Sequence, residues 1–281
     1  MVGITNKTLT AEIRRQQQLS QSIVEGQTAI STGVTLTKPS DNSLAWVQVS
    51  EIGKAQAQQS AWQANVSYGS TRAANAESNL EQITTMLVRA QELVTSARNG
   101  ALNDSGRAAI VEEMKTIRTT IGSLLTQTDY QGVPVFDNAQ SVLVPVSRGL
   151  NLAVVGTRQE VSEGIDVNGT PMSLDDILAQ SVTAVETGTD ADLVSALGTI
   201  RVGQTHIVVE QAKQGVRGDR LDVIRDRLTT VDLDLTERRQ GLESTDLAGV
   251  ISSVKAKLLQ LEAAQSAFAR INQQTLFDLI R

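Results

Sequence analysis

The chain has 281 residues, 40% of them hydrophobic and 20% charged, which is enough apolar material for one or two domains. A net charge of −6 and a pI near 5.0 argue against nucleic acid as a partner, because phosphate binding needs a concentrated Lys/Arg surface. There is no cysteine and a single histidine, His206, which rules out disulfides and thiolate metal sites and leaves little imidazole for zinc or His-based catalysis.

Only 2% of the residues are aromatic, namely Trp46, Trp62, Tyr68, Tyr130, Phe136, Phe268 and Phe277. The remaining apolar content is Leu, Ile, Val and Ala, which suits narrow helix seams better than a thick core, so an elongated protein is expected. The first 19 residues hold no apolar run before a small-residue cleavage site, and no stretch approaches the length of a membrane span. No Sec-type signal and no membrane insertion are expected, and export would need a route that reads neither.

Residues 4–30 carry Ile4, Leu9, Ile13, Leu19, Ile23 and Ile30 at roughly helical spacing among Gln, Ser and Thr. The stripe is thin, and Gln16, Gln17 and Gln18 add no burial, so this helix is weak without a partner surface. Pro39 cannot continue a helix, and Ser40 or Asp41 can cap the next one, which predicts a turn before residue 43. From there to residue 98 the best seam is Leu80, Ile83, Leu87, Ala90, Val94 and Ala97, at alternating steps of three and four. Asn99 and Gly100 supply a stop, Asn103, Asp104 and Ser105 a new start, and Ile110, Met114, Ile117, Ile121, Leu124 and Leu125 a returning stripe. Two antiparallel helices joined by a short loop are the natural reading.

At Asp129 the pattern changes. Residues 130–170 are rich in Val, Gly, Pro and Asn, with short apolar runs at 142–146, 150–155 and 165–167 and a turn at Asn168-Gly169, which predicts a small β-containing insert. Ser173, with Asp176 three residues on, reopens helical pattern through Leu174, Ile177, Leu178, Val182 and Val185, then over residues 193–207. The last long segment has Leu221, Ile224, Leu228, Val231, Leu235 and Leu242 at heptad steps, with Arg238 on that seam. After Ser244, Thr245 and Asp246 the stripe restarts out of phase as Leu247, Val250, Val254, Leu258, Leu261, Phe268 and Ile271, ending near Phe277. Two consecutive helices are expected, and the two terminal stripes can satisfy each other in a coiled coil or bury themselves against neighbouring subunits.

The fold expected is therefore mainly α, an elongated antiparallel helical bundle or coiled coil formed by the N- and C-terminal segments around a small β-containing central insert. Its division is a terminal assembly helix and turn (1–42), a helical part (43–129), an exposed insert (130–172), a second helical part (173–246) and a C-terminal assembly helix (247–281).

That layout resembles the bacterial flagellin superfamily, and the resemblance rests on blocks at both ends. Ile30-Ser31-Thr32-Gly33 followed by Lys38-Pro39-Ser40-Asp41-Asn42 is similar to the family's turn between its first two helices. Arg89-Ala90-Gln91-Glu92-Leu93-Val94, with Asn99-Gly100 and the stripe from Ile110, resembles the segment leading into its return helix. Thr128-Asp129-Tyr130-Gln131-Gly132-Val133-Pro134-Val135-Phe136 is similar to its helix-to-hairpin junction. Gly215-Val216-Arg217-Gly218-Asp219-Arg220-Leu221 resembles the start of its C-terminal helix, and Glu243-Ser244-Thr245-Asp246-Leu247-Ala248 its break. Lys38-Pro39-Ser40-Asp41, the helical pair over 175–203 and the ending from Gln274 look more like the hook–filament junction members; Asp41-Asn42-Ser43-Leu44-Ala45-Trp46 is also similar to short filament flagellins.

The resemblance implies a structural axial protein, secreted through the flagellar type III export channel to the extracellular flagellum, joining hook to filament through terminal coiled coils. It implies self-association, neighbouring axial proteins (hook-associated protein 1 and flagellin) and an export chaperone as partners, and no cofactor. The residues expected at the assembly interface are Ile4, Leu9, Ile13, Leu19, Ile23, Ile30, Leu247, Val254, Leu261, Phe268, Ile271 and Phe277. Leu87, Arg89 and Glu92 match the flagellin segment sensed by an innate immune receptor, with Gln91 where an Arg is usual.

Other signals read as ordinary structure. Arg217-Gly218-Asp219 is the integrin-type tripeptide, but it is short and is expected to open a helix. Asp232 and Asp234, two apart, point to different helix faces. The alternating charges between Arg217 and Arg239 suit an exposed or intersubunit face. His206, beside Ile207, Val208 and Val209, is expected to pack, and Asn6, Asn65, Asn103 and Asn168 head incidental glycosylation sequons. No catalytic, cofactor or metal residues are expected, which leaves an enzyme as the weakest reading. A filament-forming flagellin and a coiled-coil surface adhesin remain alternatives.

Overall fold

The computed structural model of the chain describes residues 2–99, 103–244 and 246–278, with side chains placed for 10–99, 103–244 and 246–270. Helix α1 (Val2–Thr32) ends where Gly33 takes φ of +72°, a left-handed conformation that costs glycine little, and Gly33 N–H closes on the Ala29 carbonyl. In the following turn Asp41 Oδ2 accepts from the N–H groups of Thr37 and Lys38, each at 3.0 Å. Because that carboxylate faces backward, the cap of α2 (Ser43–Ala97) falls one residue later than the sequence suggested: Asn42 Oδ1 accepts from Ala45 N–H at 3.1 Å.

Helix α3 (Asp104–Thr126) is capped by Asn103, whose side chain accepts from Gly106 N–H. The insert holds two antiparallel hairpins, β1 (Leu143–Ser147) with β2 (Leu150–Ala153), and β3 (Ile165–Val167) with β4 (Thr170–Met172). Asn168 and Gly169 both have positive φ (53° and 85°), as a two-residue hairpin turn requires. Between the hairpins lies a short helix, α4 (Arg158–Ser162), that the sequence reading missed. Its signal was Thr157 followed by Glu160, which form a reciprocal capping box. Helix α5 (Leu174–Thr187) starts at the expected Ser173–Asp176 box, followed by α6 (Asp190–Glu243) and α7 (Leu247–Asp278).

One expectation is corrected in α6. The segment Gly215-Val216-Arg217-Gly218 does not open a helix but lies in the middle of an unbroken one. A glycine in a helix interior costs roughly 1 kcal/mol, which burial of Leu221 and Leu228 and two side-chain staples outweigh. Gln214 Nε2 donates to the Val154 carbonyl at 2.9 Å, and Gln59 Nε2 to the Leu228 carbonyl at 3.0 Å.

The chain divides into two compact units, residues 1–57 with 232–281 and residues 58–231, so the division falls inside α2 and α6. In the second unit the expected seam of Leu80, Ile83, Leu87, Ala90, Val94 and Ala97 is buried throughout, facing the stripe of α3 and α5. Two glycines let backbones close up there. A Cβ on Gly69 would touch both Val154 and Leu221, and one on Gly203 would touch Leu174 and Ile177. Helices α2 and α6 run antiparallel within this unit: Gln59 meets Leu228, Ala73 meets Gln214, and Arg98 meets Asp190.

Candidate assembly surfaces

In the unit built from the chain ends, α1 packs on α7. Ile23 and Val254 are the buried centre of this contact, and a Cβ on Gly26 would run into Cγ2 of Val254, so the two helices approach as closely as a glycine allows. The turns at the inner ends are tied as well. Thr35 N–H donates to the Glu243 carbonyl at 3.0 Å, and Val34 bridges to Ser244. Lys38 Nζ reaches Glu25 Oε1 at 3.1 Å, and that bond, more than the charge alone, raises the lysine's pKa.

The residues expected at the interface separate into two sets. Ile23 and Val254 are buried within the chain, and Leu19, Ile30, Leu261 and Phe268 are half-buried. Ile13 and Leu247 are exposed. The side chains of Ile4, Leu9, Ile271 and Phe277 lie outside the described residues. On the same helices Leu247, Ile251 and Leu258 of α7 and Ile13 and Val24 of α1 all face solvent. Of the two possibilities the sequence offered, burial of the terminal stripes against each other accounts for Ile23 and Val254 and leaves Ile13 and Leu247 uncovered among the described side chains. An apolar groove in the same unit, lined by Val47, Ile52, Leu235, Gly241 and Leu242, adds to the uncovered surface. Arg238 lines it together with Leu235 and Leu242, on the seam where the heptad count put it, and its guanidinium reaches Asp234 at 3.1 Å.

The second unit is joined internally by charge. Arg72 and Asp137 form an ion pair at 2.6 Å with side chains only 5% and 2% exposed, and Asp137 Oδ2 also accepts from Val142 N–H. This pair fastens the start of the insert to α2, and the sequence reading did not find it, because nothing local marks two residues so far apart as partners. Arg118 grips Asp175 with two bonds of 2.6 Å, and Arg98 grips Asp190 at 2.9 and 3.3 Å. Each arginine holds its carboxylate below the ordinary range, chiefly through those hydrogen bonds.

Of the segment matched to immune recognition, Leu87 is fully buried, while Arg89 and Glu92 are exposed and bonded to each other, Arg89 also to Glu113 at 2.6 Å. His206 is half-buried, with Nε2 3.0 Å from the Glu160 carbonyl. Arg217 lies near Glu160 and Gln214 in mid-helix, so its tripeptide is not displayed on a loop. Among the described residues no three His, Asp or Glu side chains gather where they could hold a metal ion.

Residues 4–141 match the bacterial flagellin N-terminal helical region. Across nearly the whole chain the sequence is similar to flagellar hook-associated protein 3 of Salmonella typhimurium, 24% identical over 90% of this chain and 91% of that one. It is similar to the protein of the same name in Escherichia coli, 23% identical over 89% and 90%. The fold is shared with a flagellar hook-associated protein of Vibrio parahaemolyticus, at a TM-score of 0.66 and 18% identity over 73% of this chain and all of that one. It is shared also with the flagellar junction protein of Legionella pneumophila, at a TM-score of 0.54 and 12% identity over 70% of this chain and all of that one.

Proposed function

We infer that this chain, a member of the bacterial flagellin superfamily, is a structural axial protein of the flagellum that joins hook to filament. The observation that carries this reading is the half-covered pair of terminal helices. Ile23, Gly26 and Val254 hold α1 to α7, while Ile13, Val24, Leu247, Ile251 and Leu258 leave apolar surface in water. Exposed aliphatic side chains flanking a thin buried helix contact are unfavourable in water and are what another molecule can cover.

The expected order of events follows from helix physics. A long helix with a thin stripe is marginal alone, so the terminal pair gains most of its stability when further subunits cover the exposed side chains. Self-association, with hook-associated protein 1 on the hook side and flagellin on the filament side, supplies those subunits. An export chaperone would cover the same side chains before secretion, and the absence of cysteine suits passage of an unfolded chain to an oxidising exterior.

Electron microscopy of a strain lacking the gene tests the reading. Intact hooks without filaments, with flagellin accumulating in the medium, are expected. Filaments of normal length on that strain would overturn it, and hooks whose flagellin is absent from both filament and medium would point instead to the filament subunit itself.

A further inference from the structure

One face of α6 carries a pattern that the terminal helices do not explain. Val202, Val209, Val216 and Val223 fall at successive seven-residue steps, all on the outer face, with 37, 47, 55 and 69% of their surface exposed. The residues four beyond the first three are His206, Lys213 and Arg220, and Arg227 continues that edge. Lys213 is held by Glu210, whereas no ion pair is seen for Arg220 or Arg227 among the described residues. A branched aliphatic residue at every seventh position is what a helix presents to another helix, and here all four remain exposed among the described residues.

A second face of the same unit is the complement. On α2, Glu77, Glu81, Val88 and Glu92 share one outward line, and all four are exposed. The geometry points to a head-to-tail contact between copies of this chain, in which the valine face of α6 seats against the acidic line of α2 on the next copy. This rests on the axial reading, because a contact between two different faces propagates around a ring or tube, whereas a face that met itself would stop at a dimer.

The antiparallel course of α2 and α6 fixes how the faces meet. If all copies point the same way, α6 of one lies antiparallel to α2 of the next. Within one chain Ala73 sits level with Gln214. Bringing Arg220 opposite Glu81 and Arg227 near Glu77 therefore shifts the neighbour by roughly 20 Å along the helices, at about 1.5 Å per residue. The same register sets Val216 beside Thr85.

The test uses the full-length chain in its own bacterium, where the lack of native cysteine makes cross-links unambiguous. Arg220→Glu with Arg227→Glu, or Glu77→Arg with Glu81→Arg, should each abolish swimming and shed flagellin into the medium, and all four together should restore both. Val216→Cys with Thr85→Cys should give an oxidation-dependent ladder of cross-linked copies on isolated flagella, and neither single variant should. Normal swimming by either charge-reversed strain, no recovery in the fourfold strain, or a missing ladder would overturn the contact; dimers from Val216→Cys alone would show the face meeting itself and overturn it too. The axial reading fails separately, if a strain lacking the chain still builds filaments.

Discussion

The two units of this chain are built from the same residue types and hold together very differently. The unit of residues 58–231 contains the continuous core, in which Leu80, Ile83, Leu87, Phe136, Ile177 and Ile207 are all but inaccessible. In the unit of chain ends, the buried apolar side chains among the described residues are Ile23, Leu36, Ala45 and Val254, each still 5–7% exposed. Both units are mostly long helix, so helix formation is not what separates them. The difference lies in how much of each apolar stripe meets another stripe of the same chain, which is the main source of helix stability in water. One unit buries its stripes within the chain, and the other leaves much of its apolar stripe facing solvent.

The largest expected effect comes from removing the incomplete unit's ends. A chain lacking the residues before Ser31 and after Phe268 should fail to assemble while circular dichroism still reports the helices of the second unit. Global loss of the helical signal would break the comparison, because the second unit would then depend on the first. Next in size is the buried ion pair. Asp137→Ala leaves Arg72 charged and unpaired in the interior and should destabilise the second unit by about 3–5 kcal/mol. Replacing both residues with apolar ones of similar volume should recover most of that loss in denaturant unfolding.

Smaller effects sharpen the contrast inside the weak unit. Gly26→Ala gains roughly 1 kcal/mol of helix propensity but drives a Cβ into Val254, at a cost of about 1–3 kcal/mol. Gly53→Ala, with nothing within 4 Å of its Cβ, should keep the gain of roughly 1 kcal/mol. Faster hydrogen exchange in α1 is expected for Gly26→Ala and slower exchange in α2 for Gly53→Ala, and slower exchange of α1 in Gly26→Ala would mean that the α1–α7 contact is looser than it looks. The smallest effect is with pH. Asp175 and Asp190 have pKa values lowered by Arg118 and Arg98, so their stabilisation is complete above the ordinary carboxylate pKa of about 4 and is lost as the pH falls through the lowered folded-state values. Thermal melts of Asp175→Asn should show a shallower fall in stability on acidification than the parent chain.

Most of this architecture was legible in the sequence, for physical reasons that differ along the chain. The seam from Leu80 to Ala97 and the box at Ser173 were readable because helix periodicity and capping are local. The continuity of α6 through Gly215 and Gly218 was not, since the staples that hold it, from Gln214 to Val154 and from Gln59 to Leu228, come from elsewhere in the fold. How the terminal stripes divide into buried and exposed side chains depends on how α1 seats against α7, which spacing alone does not fix. Arg72 with Asp137 had no sequence signal at all. The valine steps on α6 were not singled out from the sequence, because only their exposure separates them from an ordinary seam.

Hydrogen exchange measured on the free chain and again on isolated flagella tests the central claim most directly. In the free chain α1 and α7 should exchange much faster than the parts of α2 and α6 in the second unit, and in flagella they should become protected to a similar degree. Equal protection of both units in the free chain, or terminal helices that exchange as fast in flagella as in solution, would contradict it.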